Sequence, residues 1–168
     1  MPRAGIALGS NLGQRLANLQ AAVEHLRRIA RPGDALLQAP VYQTAPVDCS
    51  AGSPDFHNTV VEIGYDGTPI DLLKHTQAIE SALGRTSGTE HHAPRVIDID
   101  LLYFGDTIHA ADGLTLPHPR LTRRRFVLQP LADIRPDLVL PGDQLTIAKH
   151  LARLVSNEPV LTLVQAVW

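Results

Sequence analysis

Cysteine is nearly missing from this chain, where Cys49 stands alone. A lone thiol excludes an internal disulfide framework and fits a reducing cytoplasm. Structural-zinc spacing is missing as well: the eight histidines are scattered, and His91-His92 is the one adjacent pair. Aromatic residues make up only 4% of the chain and the formal charge is −2. A nucleic-acid binder needs a basic field and usually exposed aromatics, so that class fits poorly. No apolar run approaches the length of a membrane span. Met1-Pro2-Arg3 leads straight into a strand-like segment, which leaves no room for a signal peptide. The expectation is a cytoplasmic protein without nucleic-acid or membrane partners. At 168 residues, with 44% hydrophobic and 19% charged, the chain reads as one globular domain over 1–168.

The richest stretch runs from His91 to Gly105. It sets Asp98 and Asp100 one residue apart inside an apolar, β-branched run. Strand side chains alternate faces, so both carboxylates point one way while Ile97, Ile99 and Leu101 point the other. At roughly 7 Å, two such charges repel by about 2–3 kcal/mol at an effective dielectric near 20. A strand that carries this cost calls for a cation, and Arg95 stands just upstream. A carboxylate pair plus an arginine is what a magnesium-nucleotide site requires. The bland alternative is a solvated strand edge.

Around it the elements alternate. Arg3 to Gly9 reads as a buried strand ending in a turn at Gly9-Ser10-Asn11. Leu16, Leu19, Val23, Leu26 and Ala30 mark an amphipathic helix over Gln14 to Ile29. Ala35 to Thr44 and Asp55 to Tyr65 read as strands, joined by a loop with Pro46, Gly52 and Pro54. Thr68-Pro69-x-Asp71 opens a second helix, whose stripe is Leu72, Thr76, Ile79 and Leu83 and whose end is Gly84. Then come the Asp98/Asp100 strand, a short strand at Thr107 to Ala110, and a turn with a short helix over Pro117 to Ala132. A third helix spans Asp143 to Leu154 with Leu145, Ala148, Leu151 and Leu154 inward, and a strand spans Val160 to Val167. The order β-α-β-β-α-β with an α-β extension points to a split βαβ arrangement, an antiparallel sheet with helices on one face.

Several short strings then fall in a fixed order: Gly9-Ser10-Asn11-Leu12-Gly13, Tyr42-Gln43-Thr44, Asp55-Phe56-His57-Asn58, Gly84-Arg85, Ala93-Pro94-Arg95-x-x-Asp98-Ile99-Asp100-Leu101-Leu102, Leu116-Pro117-His118-Pro119-Arg120, and Phe126-Val127-Leu128-x-Pro130-Leu131. Together they resemble the 6-hydroxymethyl-7,8-dihydropterin pyrophosphokinase family over nearly the whole chain. The resemblance implies an α+β fold, a ferredoxin-like βαββαβ sandwich with a C-terminal α-β extension. It implies a folate-pathway transferase that moves pyrophosphate from ATP to the pterin alcohol. As site residues it implies Asp98 and Asp100 as ligands of two Mg²⁺ ions, with Arg85 and Arg95 on the transferred group. Gln77, Glu80, His92, His118 and Arg124 are implied for ATP, with Leu101 and Thr115 on the adenosine side. For the pterin it implies Phe56 and Phe126 as stacking partners, Asn58 and Asp98 at the ring edge, and Thr44, Pro46 and Val47 as backbone and apolar contacts. The chain departs from some family members at Ser87, His92, Ala93 and Gly113.

On this resemblance Mg-ATP binds first, loops at Val47 to Pro54 and Arg85 to Ala93 close, and the pterin hydroxyl attacks the β-phosphorus. Asp100 either accepts its proton or orients it. Positioning and charge neutralisation would supply most of the catalysis. The partners expected are small molecules, with the chain acting as a monomer. The alternative is a non-catalytic nucleotide- or pterin-binding relative.

Overall fold

The computed structural model describes residues 1–46, 51–84 and 95–168. Val47, Arg85 and His92, with Ser87 and Ala93, lie outside the described residues. Strand β1 (Arg3–Ser10) runs one residue further than its turn signal predicts, since Gly9 and Ser10 still pair with β4. Helix α1 (Arg15–Ile29) buries Leu19, Ala22, Val23 and Leu26, the expected stripe. Proline breaks the next expected strand. β2 (Leu37–Gln38) and β3 (Val41–Thr44) flank Ala39-Pro40, because Pro40 has no N–H for a ladder. Both pieces pair with β4 (Phe56–Gly64). Helix α2 (Pro69–Ala82) opens on a complete capping box between Thr68 and Asp71, and β5 (Asp98–Phe104) follows.

The main sheet runs β5-β1-β4-β3, with β8 (Thr162–Gln165) added outside β3 and every pairing antiparallel. Those first four strands and two helices are the ferredoxin-like βαββαβ pattern. Ala4, Ile6 and Leu8 of β1 meet the buried stripes of α1 and α2 on one sheet face. The opposite face carries a second core, where Val60 and Leu102 meet Val127, Leu128 and Leu131 of α3 (Arg125–Ile134). This helix is longer than the expected turn and short helix, and it makes a layer the split βαβ reading did not include.

Two further differences have local causes. A hairpin of β6 (His109–Ala111) and β7 (Leu114–Leu116) stands where one short strand is expected. Its turn is Asp112-Gly113, both at positive φ, the conformation that an Asp-Gly hairpin favours. Helix α4 covers only Ile147–Arg153. Asp143 turns back to accept the N–H groups of Gln144 and Leu145 at 2.7 and 3.1 Å, and Thr146 is the residue that caps the helix. The inward residues are therefore Ile147, Leu151 and Leu154; Ala148 is exposed.

Candidate active site

Register places the two acids on one face. Ile99 and Leu101 are 5% and 4% exposed in the α1/α2 core, so Asp98 and Asp100 point to the side of the sheet that α3 partly covers. Across the sheet, Asp98 pairs with Gly9, Gly9 with Asn58, and Asn58 with Tyr42. Asp100 pairs with Ala7, and Ala7 with Val60. Directly opposed antiparallel residues share a face, so Asp98, Asn58 and Tyr42 form one row above a glycine floor. The floor must stay bare: a Cβ on Gly9 would lie 3.0 Å from the Asn58 side-chain oxygen and 3.5 Å from the Phe56 ring. Phe56 is half-buried beside Thr44, its partner on β3. Phe126, in the first turn of α3, packs against the core on the same face, as Ala7 does. Two aromatic rings, a buried amide and a carboxylate are thus gathered around a flat surface, which suits a planar heterocycle with polar edges.

Arg95 is held at this row by two kinds of contact. Its guanidinium meets Asp98 at 3.0 Å. Its N–H donates to the Asn11 side-chain oxygen at 2.7 Å, and its carbonyl accepts from the Asn11 N–H at 3.1 Å. Asn11, 1% exposed, also donates to the Pro54 carbonyl at 3.3 Å. One buried amide therefore ties together the chain before β5 and the chain before β4. Asn11 is marked in the sequence by its turn and by the Gly9-Ser10-Asn11-Leu12-Gly13 string, but neither partner is near it along the chain.

The nucleotide candidates divide. His118 adjoins the site: Arg124, Arg120 and Asp98 all act on its ring electrostatically. Burial first, then the two arginines, holds its pKa below the usual histidine range against the pull of Asp98. Its Nδ1 accepts the Arg120 N–H at 3.1 Å, which leaves Nε2 as the donor of a neutral ring. Arg124 stacks over Phe126 at 5.4 Å from the ring centroid, linking the cationic side to the aromatic one. Glu80 is buried, and its Oε1 accepts the Ile99 N–H at 2.8 Å, between the two acids on the outer edge of β5. Gln77 is exposed on the same helix. Thr115 lies exposed on β7. Leu101 sends its side chain into the core on the opposite face from the acids, because strand alternation places it there. Pro46 is half-buried at the edge of the described residues.

The donor set fits a hard cation. Asp98 is partly exposed and Asp100 exposed, both with oxygen ligands on one face. Among the described residues no group of three or more histidine, cysteine or acidic side chains could hold a metal. An ion at these two acids would complete its coordination with phosphate and water, the habit of Mg²⁺. No helix among the described residues is long and apolar enough to cross a membrane.

Residues 5–136 match the family model for 7,8-dihydro-6-hydroxymethylpterin-pyrophosphokinase, HPPK. The chain is 42% identical over 163 residues to the 2-amino-4-hydroxy-6-hydroxymethyldihydropteridine pyrophosphokinase of Methylorubrum extorquens, covering 92% of this chain and 94% of that protein. It is 36% identical over 159 residues to the folic acid synthesis protein fol1 of Pneumocystis carinii, covering 93% of this chain but only 21% of that longer protein. Among solved structures it resembles an HPPK-DHPS in complex with substrates, with a TM-score of 0.69 over 90% of this chain and 44% of the other. At 13% identity that likeness concerns the fold. With the family model spanning most of its length and a bacterial relative matched nearly end to end, the chain belongs to the 7,8-dihydro-6-hydroxymethylpterin-pyrophosphokinase family.

Proposed function

We propose that this chain, as one domain over 1–168, transfers pyrophosphate from ATP to 6-hydroxymethyl-7,8-dihydropterin and releases AMP, as its family and bacterial relatives indicate. The observation that carries the assignment of roles is the shared face of Asp98 and Asp100, with the Arg95 guanidinium 3.0 Å from Asp98. The pterin lies between Phe56 and Phe126 over Gly9, with Asn58 and Asp98 at its polar edge and Thr44 and Pro46 at its rim, where the resemblance also implies Val47. Its hydroxymethyl oxygen attacks the β-phosphorus, a new O–P bond forms, the bond from that phosphorus to the α,β-bridging oxygen breaks, and AMP departs. Asp100 receives the hydrogen bond of the attacking hydroxyl. Arg95 lies along the migrating group, a role the family resemblance also implies for Arg85, and His118 and Arg124 donate to the nucleotide phosphates. Gln77 and Thr115 border the nucleotide, as the resemblance implies for His92 as well, while Glu80 holds the strand that presents the acids.

Asp98 and Asp100 would hold Mg²⁺, two ions on the family pattern, and the ions supply positive charge to the nucleotide phosphates. The monomer and the cytoplasm are the state and compartment this reading assigns. The test is AMP formation from ATP, Mg²⁺ and the pterin alcohol. Asp98→Ala and Asp100→Ala should each lower it on the order of 10³-fold with the fold intact by circular dichroism. Retained turnover in both variants would overturn the assignment.

A further inference from the structure

We propose that Tyr42 and Asp133 form a positioning pair, tying α3 to β3 and so setting where Phe126 stands over the pterin surface. The proposal rests on the function proposed above and gives a role to Tyr42, of the Tyr42-Gln43-Thr44 string, and to Asp133, which lies in none of the strings. Tyr42 lies directly across from Asn58 on the site face. Its hydroxyl donates to the Asp133 carboxylate on α3. Asp133 lies two helical turns beyond Phe126, so both lie on one stripe of the helix. Gln129 stands between them on that stripe and donates to the other Asp133 oxygen at 3.2 Å.

The backbone alone holds the first turn of α3 weakly. Pro130 lies inside the helix and offers no N–H to the Phe126 carbonyl four residues earlier. The apolar residues Val127, Leu128 and Leu131 clamp the helix to the sheet, but such contacts are non-directional and permit sliding. A directional bond from β3 to Asp133 fixes the helix against the strand that neighbours Asn58. Under the function proposed above, the pterin's place between Phe56 and Phe126 inherits that spacing. Burial first, then the carboxylate, pushes the Tyr42 hydroxyl up to about 12, so it remains a donor through the neutral range.

The test combines turnover with pterin binding read by the fluorescence of the pterin itself. Tyr42→Phe and Asp133→Ala should each raise the pterin Kd and KM about fivefold to tenfold, with the ATP KM and kcat shifted less than about threefold. Asp133→Asn, which keeps an acceptor oxygen, should restore pterin affinity to within about twofold of the unaltered chain. The double variant Tyr42→Phe/Asp133→Ala should be no weaker than either single one, as expected for one shared interaction. Unchanged pterin affinity in both single variants, equal weakening of both substrates, or additive losses would overturn the proposal. If the unaltered chain binds pterin without turnover, the pyrophosphokinase reading fails while the Kd comparison still judges the pair. If it binds no pterin, both fall.

Discussion

Gly9 shows how a single missing side chain can matter as much as a charged one. It lies between Asp98 and Asn58 in the sheet, and any Cβ there meets the Asn58 amide at 3.0 Å. Gly9→Ala should therefore displace the amide or the Phe56 ring and raise the pterin KM about tenfold, close to 1.4 kcal/mol. The thermal midpoint should barely move, since alanine suits a strand at least as well as glycine. A melting curve alongside steady-state kinetics in each substrate checks both halves. The acids were legible at this level because a period of two needs nothing beyond a strand. The burial of Glu80 was not, because its partner, the Ile99 N–H, belongs to another element and a helical stripe gives no reason to turn a carboxylate inward.

Helix α2 links local chemistry to the site. Its capping box joins the Thr68 hydroxyl to the Asp71 N–H at 3.1 Å and the Asp71 carboxylate to the Thr68 N–H at 3.2 Å. At its other end Glu80 satisfies the outer edge of β5 between Asp98 and Asp100. Thr68→Ala should cost about 1 kcal/mol in urea unfolding with turnover kept, since the cap and Glu80 lie at opposite ends of the helix. This start was readable from four consecutive residues. The start of α4 was not. Asp143 and Thr146 are both good caps by type, and the structure chooses Thr146 because Ile147, Leu151 and Leu154 then face the second core. The Asp112-Gly113 pair, by contrast, was a hairpin signal in plain view, and it would have found β7.

One buried and one half-buried imidazole make stability depend on pH across the entire fold. His57, 8% exposed under Arg15, and His118 both titrate below the usual histidine value, through burial first and nearby arginines second. The unfolded chain thus takes up protons below about pH 6.5 before the folded chain does, so stability falls with pH through that window. The urea midpoint should be lower at pH 5 than at pH 7.5, with both rings titrating below the usual histidine range by NMR; equal midpoints would contradict this. At this scale an antiparallel sheet of four strands with two helices on one face was legible, and the structure sets its order as β5-β1-β4-β3. The amino-acid order alone specified α1, α2, the strands β1, β4 and β5 and the shared side of Asp98 and Asp100, because those follow from periodicities of a few residues. Only packing decided that α3 covers the second face, that Asn11 clamps Arg95 and Pro54, and that Tyr42 reaches Asp133. Such contacts join residues 43 to 91 positions apart, and a distance that long along the chain becomes a distance in space only after the sheet has closed its register.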